Sequence, residues 1–341
     1  MTASACLEDA NVTIRWTQKT AFVLLAGLLA ITAAACGSDS KKSTTGGFSE
    51  NPTTISGVPT LASSFPLTVP RSDGKSLTLA AAPKRIVSLS PATTEIIYAL
   101  GAEGALAAVD KQANYPDGAK AFPTKVDAFE PNIETIAALK PDLVIVATDS
   151  GGIVGKLDQL NIPVLFSDIN KDVKTVDDVL AQIGLLGRVT GTTDRSAPLI
   201  DNLGGRVRKI RDALQGVDTT QAKIYHELDS TYYTASNLSF IGDLYHTLRV
   251  QNIAGNGGGQ PYPQLTQEAI IAANPKFIVL ADEEFGVSID SVKQRPGWAA
   301  IDAVKNDKVF AVSADIISRP GPRIVDALEQ LAKDIYPQRF K

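Results

Sequence analysis

Glu134 and Glu268 stand at matching places in two stretches of the chain, Asn132-Ile133-Glu134 and Thr266-Gln267-Glu268. Each stretch continues as a short helical pattern, a proline break and a β-branched run, ending Lys140-Pro141-Asp142-Leu143-Val144-Ile145 in one copy and Asn274-Pro275-Lys276-Phe277-Ile278-Val279 in the other. A polar cap followed by a first-turn carboxylate suits a helix start, where free N–H groups and the macrodipole favour oxygen and negative charge. That is one reading of both glutamates. The other is a pair of equivalent surface charges, one in each copy. Other chemistry is sparse. Cys6 and Cys36 are the only cysteines and His226 and His246 the only histidines, so no internal disulfide, thiolate metal site or cluster of several imidazoles can be assembled downstream of the first segment. No Gly-x-Ser-x-Gly elbow, Walker loop or paired His–carboxylate motif occurs, and the glycine run Gly255–Gly259 lacks a strand-to-helix context and reads as a loop. An enzyme is therefore not expected, and neither is a resident cofactor or metal.

The remaining reactive group, Cys36, belongs to an address. Arg15 and Lys19 precede an apolar run from Ala21 to Ala35, which ends Ala33-Ala34-Ala35-Cys36-Gly37. A positive segment, a short apolar core and small residues make a signal peptide. The run is shorter than the roughly 20 residues that span a bilayer. The small residues before the cysteine are similar to a lipobox, in which the thiol accepts a diacylglyceryl group; Ala33 stands where leucine is usual. An uncleaved anchor, or an ordinary secretory signal with an incidental cysteine, is the alternative. Gly37 to Asn51 is rich in Ser, Gly, Thr and Lys without hydrophobic periodicity, which suits a flexible tether.

Two α/β lobes must position the paired glutamates. Strands are expected at Arg85–Ser90, Leu143–Ala147, Val164–Ser167, Lys223–Leu228, Phe277–Ala281 and Val309–Ser313, and helices at Ala92–Leu100, Val176–Val189 and Pro322–Ile335. Such alternation marks parallel sheets flanked by helices, here two similar Rossmann-like lobes. A further strand in each repeat leads to an aspartate, Asp168 in one and Asp315 in the other. Between the lobes, Thr193–Gln215 alternates with helical period and predicts one long connecting helix, with Gly204-Gly205 either admitting close packing or bending it. The expected organisation is a signal peptide at 1–35, a lipid-anchored tether at 36–66, an N-terminal lobe at 67–192, a linking helix at 193–216 and a C-terminal lobe at 217–341. The net charge of −4 over 341 residues leaves no basic surplus for nucleic acid.

Several motifs together resemble a known family. Arg85-Ile86-Val87-Ser88-Leu89-Ser90-Pro91-Ala92-Thr93-Thr94-Glu95, Asn114-Tyr115-Pro116, Ala138 to Ile145, Tyr262-Pro263-Gln264 and Arg319-Pro320-Gly321-Pro322-Arg323 are similar to segments of the class III periplasmic binding proteins, the helical-backbone metal-chelate receptors of ABC importers. Among these the motif layout is most similar to the cobalamin receptors. The resemblance implies a ligand cleft between two rigid lobes, a long helix that limits hinge closure, a monomer, and an ABC permease dimer with its ATPase as partner. It implies that Glu134 and Glu268 meet arginines of the permease, and that Tyr115, Phe129, Tyr233, Tyr262, Asp315 and Arg319 line the cleft. Aromatic rings suit a flat macrocycle or metal chelate; core packing is the alternative for any single ring, and an ion pair with Asp315 the alternative for Arg319. Cobalamin receptors line this cleft with several tryptophans, where this chain has Phe129, Tyr262 and Ala147 or Thr148. Corrinoid, ferric siderophore and haem therefore all stand as expected ligand classes, corrinoid first. A lipid-anchored receptor without a transport role is the remaining alternative.

Overall fold

The computed structural model describes residues 64–340. The expected signal peptide, the tether and the lipidation site Cys36 lie outside the described residues, apart from the tether's last few. A short antiparallel hairpin, β1 (Leu67–Pro70) and β2 (Ser76–Leu79), precedes the first lobe. That lobe is a five-stranded parallel sheet of β3 (Ile86–Leu89), β4 (Leu106–Asp110), β5 (Lys125–Val126), β6 (Leu143–Val146) and β7 (Val164–Phe166), in the order β5-β4-β3-β6-β7. The second lobe is a four-stranded parallel sheet of β8 (Lys223–Glu227), β9 (Gln251–Asn252), β10 (Phe277–Leu280) and β11 (Val309–Ala311), in the order β11-β10-β8-β9. The four shared strands correspond one to one: β3 with β8, β4 with β9, β6 with β10 and β7 with β11.

Every residue of β3, β6 and β10 is buried, the pattern of a strand covered on both faces. Leu143 and Ile145 of β6 join one apolar cluster and Val144 and Val146 another, as period-two alternation requires. The expected strands are present within one or two residues. Those the sequence did not announce are the hairpin strands β1 and β2, β4, with two alanines among its five residues, and the two-residue strands β5 and β9, too short to carry a pattern.

The linking helix runs Thr193–Ala213, about 31 Å long at 1.5 Å per residue. Its glycines admit close packing. A Cβ on Gly204 would stand 3.3 Å from Leu180 Cδ1, and one on the facing Gly187 would overlap Ser196 at 2.3 Å. Gly187 belongs to the preceding helix, Val176–Thr190, which has a Thr175–Asp178 capping box and turns at Gly191 in the left-handed region. The last helix, Ile324–Ile335, begins two residues later than the sequence suggests and lies against the linking helix, where Arg206 pairs with Asp326 and Glu329. A single apolar cluster passes from Ile97 of the first lobe through Ile183, Leu203 and Val207 to Leu244 and Leu328 of the second. The rod is thus one member of a packed helical layer that holds both sheets.

Candidate functional site

In each lobe the helix preceding the central strand starts at the C-terminal edge of the sheet and runs back to its N-terminal edge. Helix Ile133–Ala138 is capped by Asn132, whose side chain accepts from Thr135 N at 2.7 Å, and helix Gln267–Ala273 by Thr266, which accepts from Ala269 N at 3.2 Å. Glu134 and Glu268 occupy the first turns at that edge, both exposed, and among the described residues neither side chain has a hydrogen bond or ion pair. Two free carboxylates, one per lobe, therefore stand at the C-terminal edge of each sheet, where the loops after its parallel strands emerge.

Those loops carry the exposed apolar surface. Among the described residues the exposed large hydrophobic side chains are Tyr115, Phe129, Leu160, Tyr233, Leu238, Tyr262 and Phe285. Six of the seven, all but Leu160, lie on segments that follow strands β4, β5, β8, β9 and β10 at the C-terminal edges. Scattered exposed apolar residues are ordinary, but confinement to one edge is not. Leaving each such ring in water forgoes roughly 1.5–3 kcal/mol of burial. Four of them are aromatic contacts expected from the sequence: Tyr115, Phe129, Tyr233 and Tyr262. Leu238 and Phe285 were not anticipated. For Phe285 the signal was present, an apolar ring set among Asp282, Glu283 and Glu284 directly after a strand, and followed by Gly286.

Asp315 and Arg319 form an ion pair four residues apart, at helix Ala314–Ile317 and just beyond it. Asn114 of the first lobe serves both: its Nδ2 donates to Asp315, and its Oδ1 accepts from Arg319 Nη1 at 2.6 Å. One amide thus joins the lobes at the cleft floor, by an uncharged side-chain group that offers donor and acceptor on separate atoms. Asp168, the counterpart expected from the repeat, does something else: it caps helix Ile169–Asp172, accepting from Asn170 N at 3.0 Å.

The chain then crosses the floor. Arg323 pairs with the buried Glu95 of the first lobe at 2.9 Å and lies 3.8 Å above the Tyr115 ring. Two hollows flank this crossing. One of about 370 Å³ is bounded by Tyr98, Tyr115, Asn202 and Arg323, and one of about 390 Å³ by Ile169, Lys174, Phe240, Tyr262 and Pro320. Each is within the size range of small-molecule pockets. Tyr115 and Tyr262 therefore face different hollows on the two sides of one strap.

Beneath the wall of the second lobe lies a buried polar group. Arg295 makes a two-pronged bond to Glu227 at the end of β8, with both distances 2.6 Å and Glu227 fully buried. The guanidinium also lies 4.6 Å from the Trp298 ring centroid and 5.4 Å from that of Tyr232. Tyr232 has φ +70, outside the comfortable range for a bulky residue, and its hydroxyl donates to Gln267 Oε1 at 2.9 Å. Asp282, 1% exposed and without a hydrogen-bond partner, is raised to about 7 by burial and then by the charge of Glu227. Burial alone lowers His226 to about 3, so it is a neutral core residue, with Nδ1 2.5 Å from the Tyr245 hydroxyl. Among the described residues no group of three or more His, Cys, Asp or Glu could hold a metal, and no helix is long and apolar enough to cross a membrane.

Comparison with known proteins gives the family. The periplasmic binding protein family matches residues 86–316. The ABC transporter substrate-binding lipoprotein YvrC of Bacillus subtilis is 31% identical over 284 residues, covering 81% of this chain and 88% of that protein. A cobalamin-binding protein of Halobacterium salinarum is 29% identical over 284 residues, covering 80% and 74%. The crystal structure of the periplasmic vitamin B12 binding protein of Vibrio cholerae is 27% identical, with a TM-score of 0.65 over 76% of this chain and 99% of that one. The chain belongs to the periplasmic binding protein family: it is an extracytoplasmic substrate-binding component of an ABC transporter, working with a permease and its ATPase and carrying out no catalysis.

Proposed function

We propose that this protein is a monomeric lipoprotein, anchored through Cys36, that captures a corrinoid and presents it to the permease dimer. The residues at 67–192 and 217–341 act as the two jaws about the helix at 193–216, and residues 36–66 tether them to the membrane. The observation that carries the ligand reading is that the exposed rings lie on the loops at the C-terminal edges of the two sheets. Phe129 and Tyr115 from the first lobe, with Tyr233 and Tyr262 from the second, offer flat apolar faces to a flat macrocycle. Asp315 accepts from the amide groups that fringe such a ring, and Arg319 holds Asp315 in place. The names of the cobalamin-binding relatives support the same class.

Glu134 and Glu268 are the docking charges. Both are free, both sit at the edge where cargo leaves, and their equivalence suits a symmetric dimer. A ferric hydroxamate is the second reading, favoured by one observation: Trp298 is buried, so no tryptophan among the described residues faces the cleft. Calorimetric titration of the mature protein with cyanocobalamin, a neutral ferric hydroxamate and a ferric catecholate tests the assignment. Saturable binding of cyanocobalamin in preference to both iron chelates is the expected result. Binding of an iron chelate with no response to cyanocobalamin would overturn it.

A further inference from the structure

We propose that Phe285 is a cargo-contacting residue, the central panel of the second lobe's wall, and that the carboxylates beside it restrict cargo to chelates without net negative charge. The inference rests on the reading of the cleft as a chelate site, and goes beyond it in naming a further contact and a charge class. The strand order fixes the place. In the sequence β11-β10-β8-β9, the loop after β10 lies between the loop after β11, which carries Asp315 and Arg319, and the loop after β8, which carries Tyr233. Leu280 at the end of β10 pairs with Ala311 on one side and Glu227 on the other, so the next residues emerge between those two loops.

The turn is held there rather than left free. Glu283–Phe285 is one turn of 3-10 helix, stopped by Gly286 at φ +97, a conformation glycine adopts without strain. Ser313 Oγ donates to Glu284 Oε1 at 2.7 Å, tying the turn to the segment two residues before Asp315. Below it, Asp282 is anchored by burial. On this scaffold the ring is 77% exposed, the highest of the large apolar side chains among the described residues, with Phe129 of the first lobe next at 73%. Each sheet edge thus presents one nearly bare phenylalanine, and the cargo is what covers both.

Charge narrows the class. The C-terminal edge of the second lobe carries Asp229, Glu283, Glu284 and Asp315 against Arg319 and Arg323, which Asp315 and the first lobe's Glu95 already engage. An anionic chelate pressed against Phe285 would face Glu283 and Glu284 in a partly desolvated site, where like charges repel strongly. A neutral or cationic chelate pays no such cost.

The test uses the full mature protein and whichever neutral chelate it binds, cyanocobalamin or a neutral ferric hydroxamate. Phe285→Ala is compared with Leu160→Ala, another exposed apolar residue, at the opposite edge of the first sheet. Thermal unfolding of each variant reports whether it is folded. The expected result is at least about tenfold weaker binding for Phe285→Ala and less than about twofold change for Leu160→Ala. In wild type a trianionic ferric catecholate is expected to bind at least about tenfold more weakly than the neutral chelate, and to gain affinity in Glu283→Gln/Glu284→Gln. Wild-type affinity in a folded Phe285→Ala protein overturns the contact and leaves the chelate reading standing. Catecholate affinity that the paired Gln variant does not change overturns the charge rule. A wild type that binds none of the chelates removes the cleft reading and this inference with it.

Discussion

The two lobes share a topology but not an interior. The register that pairs β3 with β6 and β8 with β10 sets Ile86 against Ile224, Val87 against Tyr225, Ser88 against His226 and Leu89 against Glu227. Beyond the central strands, Thr148 corresponds to Asp282. The first lobe has Val87, Ser88 and Leu89 at these places and keeps Thr148 at the surface; the second buries Tyr225, His226, Glu227 and Asp282 and balances them with one arginine. At these positions the duplicated frame has a plainer jaw and a more polar one, although the first lobe buries Glu95 and Asp110 elsewhere. Burying charge is expensive unless it is paired and hydrogen-bonded, so the polar jaw is not a route to stability. What it provides is position. Arg295 braces Glu227, Tyr232 and Trp298 at once, and these lie directly under Tyr233, Asp282 and the start of the helix that carries Glu268.

The largest expected effect breaks that brace. Glu227→Ala leaves a buried guanidinium without its partner and is expected to destabilise by about 3–5 kcal/mol in urea unfolding. Glu227→Leu with Arg295→Met, which removes both charges, is expected to fall near wild-type stability or above it, because well-packed apolar replacements avoid the desolvation penalty. If the double variant is as unstable as the single one, the polar jaw is a stabilising device and the contrast drawn here is wrong.

Proton linkage is the second way to separate the jaws. Asp282 keeps its proton in the folded protein up to about 7, whereas the unfolded chain releases it near the ordinary value of 3.8. The folded state then binds more protons than the unfolded state between about pH 4 and 7, so this group's contribution to stability falls as pH rises through that window and levels off above it. Denaturant midpoints of wild type and Asp282→Asn at pH 5 and pH 8 measure it. The substitution is expected to raise stability relative to wild type at pH 8 and to change it less at pH 5.

Two smaller effects compare how the linking helix meets each side. Toward the first lobe it packs through small residues, and Gly187→Ala is expected to cost about 1–3 kcal/mol because its Cβ would overlap Ser196. Toward the last helix it packs through partly exposed charges, and Arg206→Ala is expected to cost about 1 kcal/mol or less. Thermal denaturation of the pair ranks them.

Much of this frame was legible in the sequence for physical reasons. Fully buried parallel strands read as unbroken β-branched runs, and a duplicated cap, glutamate and proline recur because each starts and stops the same helix. Strands of two residues have no period to detect, which hid β5 and β9. The rings at Tyr115, Phe129, Tyr233 and Tyr262 could be anticipated only through family motifs, since an aromatic residue in a loop looks the same buried or bare. Phe285 lies outside those motifs, and it was missed until its exposure was known. The Asn114 bridge was beyond reach: it joins residues some two hundred positions apart, and the Asn114-Tyr115-Pro116 motif does not say which groups its amide meets. The polar jaw was equally hidden, because Glu227 and Arg295 become partners only once β8 and the turn before Trp298 are brought together.

The central claim is that two jaws of shared topology deliver cargo through a matched pair of free carboxylates. Its most direct test is uptake in vesicles containing the permease and ATPase, using Glu134→Lys/Glu268→Lys beside wild type, with cargo affinity measured in parallel. Loss of uptake with unchanged affinity is the predicted result; uptake at the wild-type rate in that variant would contradict the account.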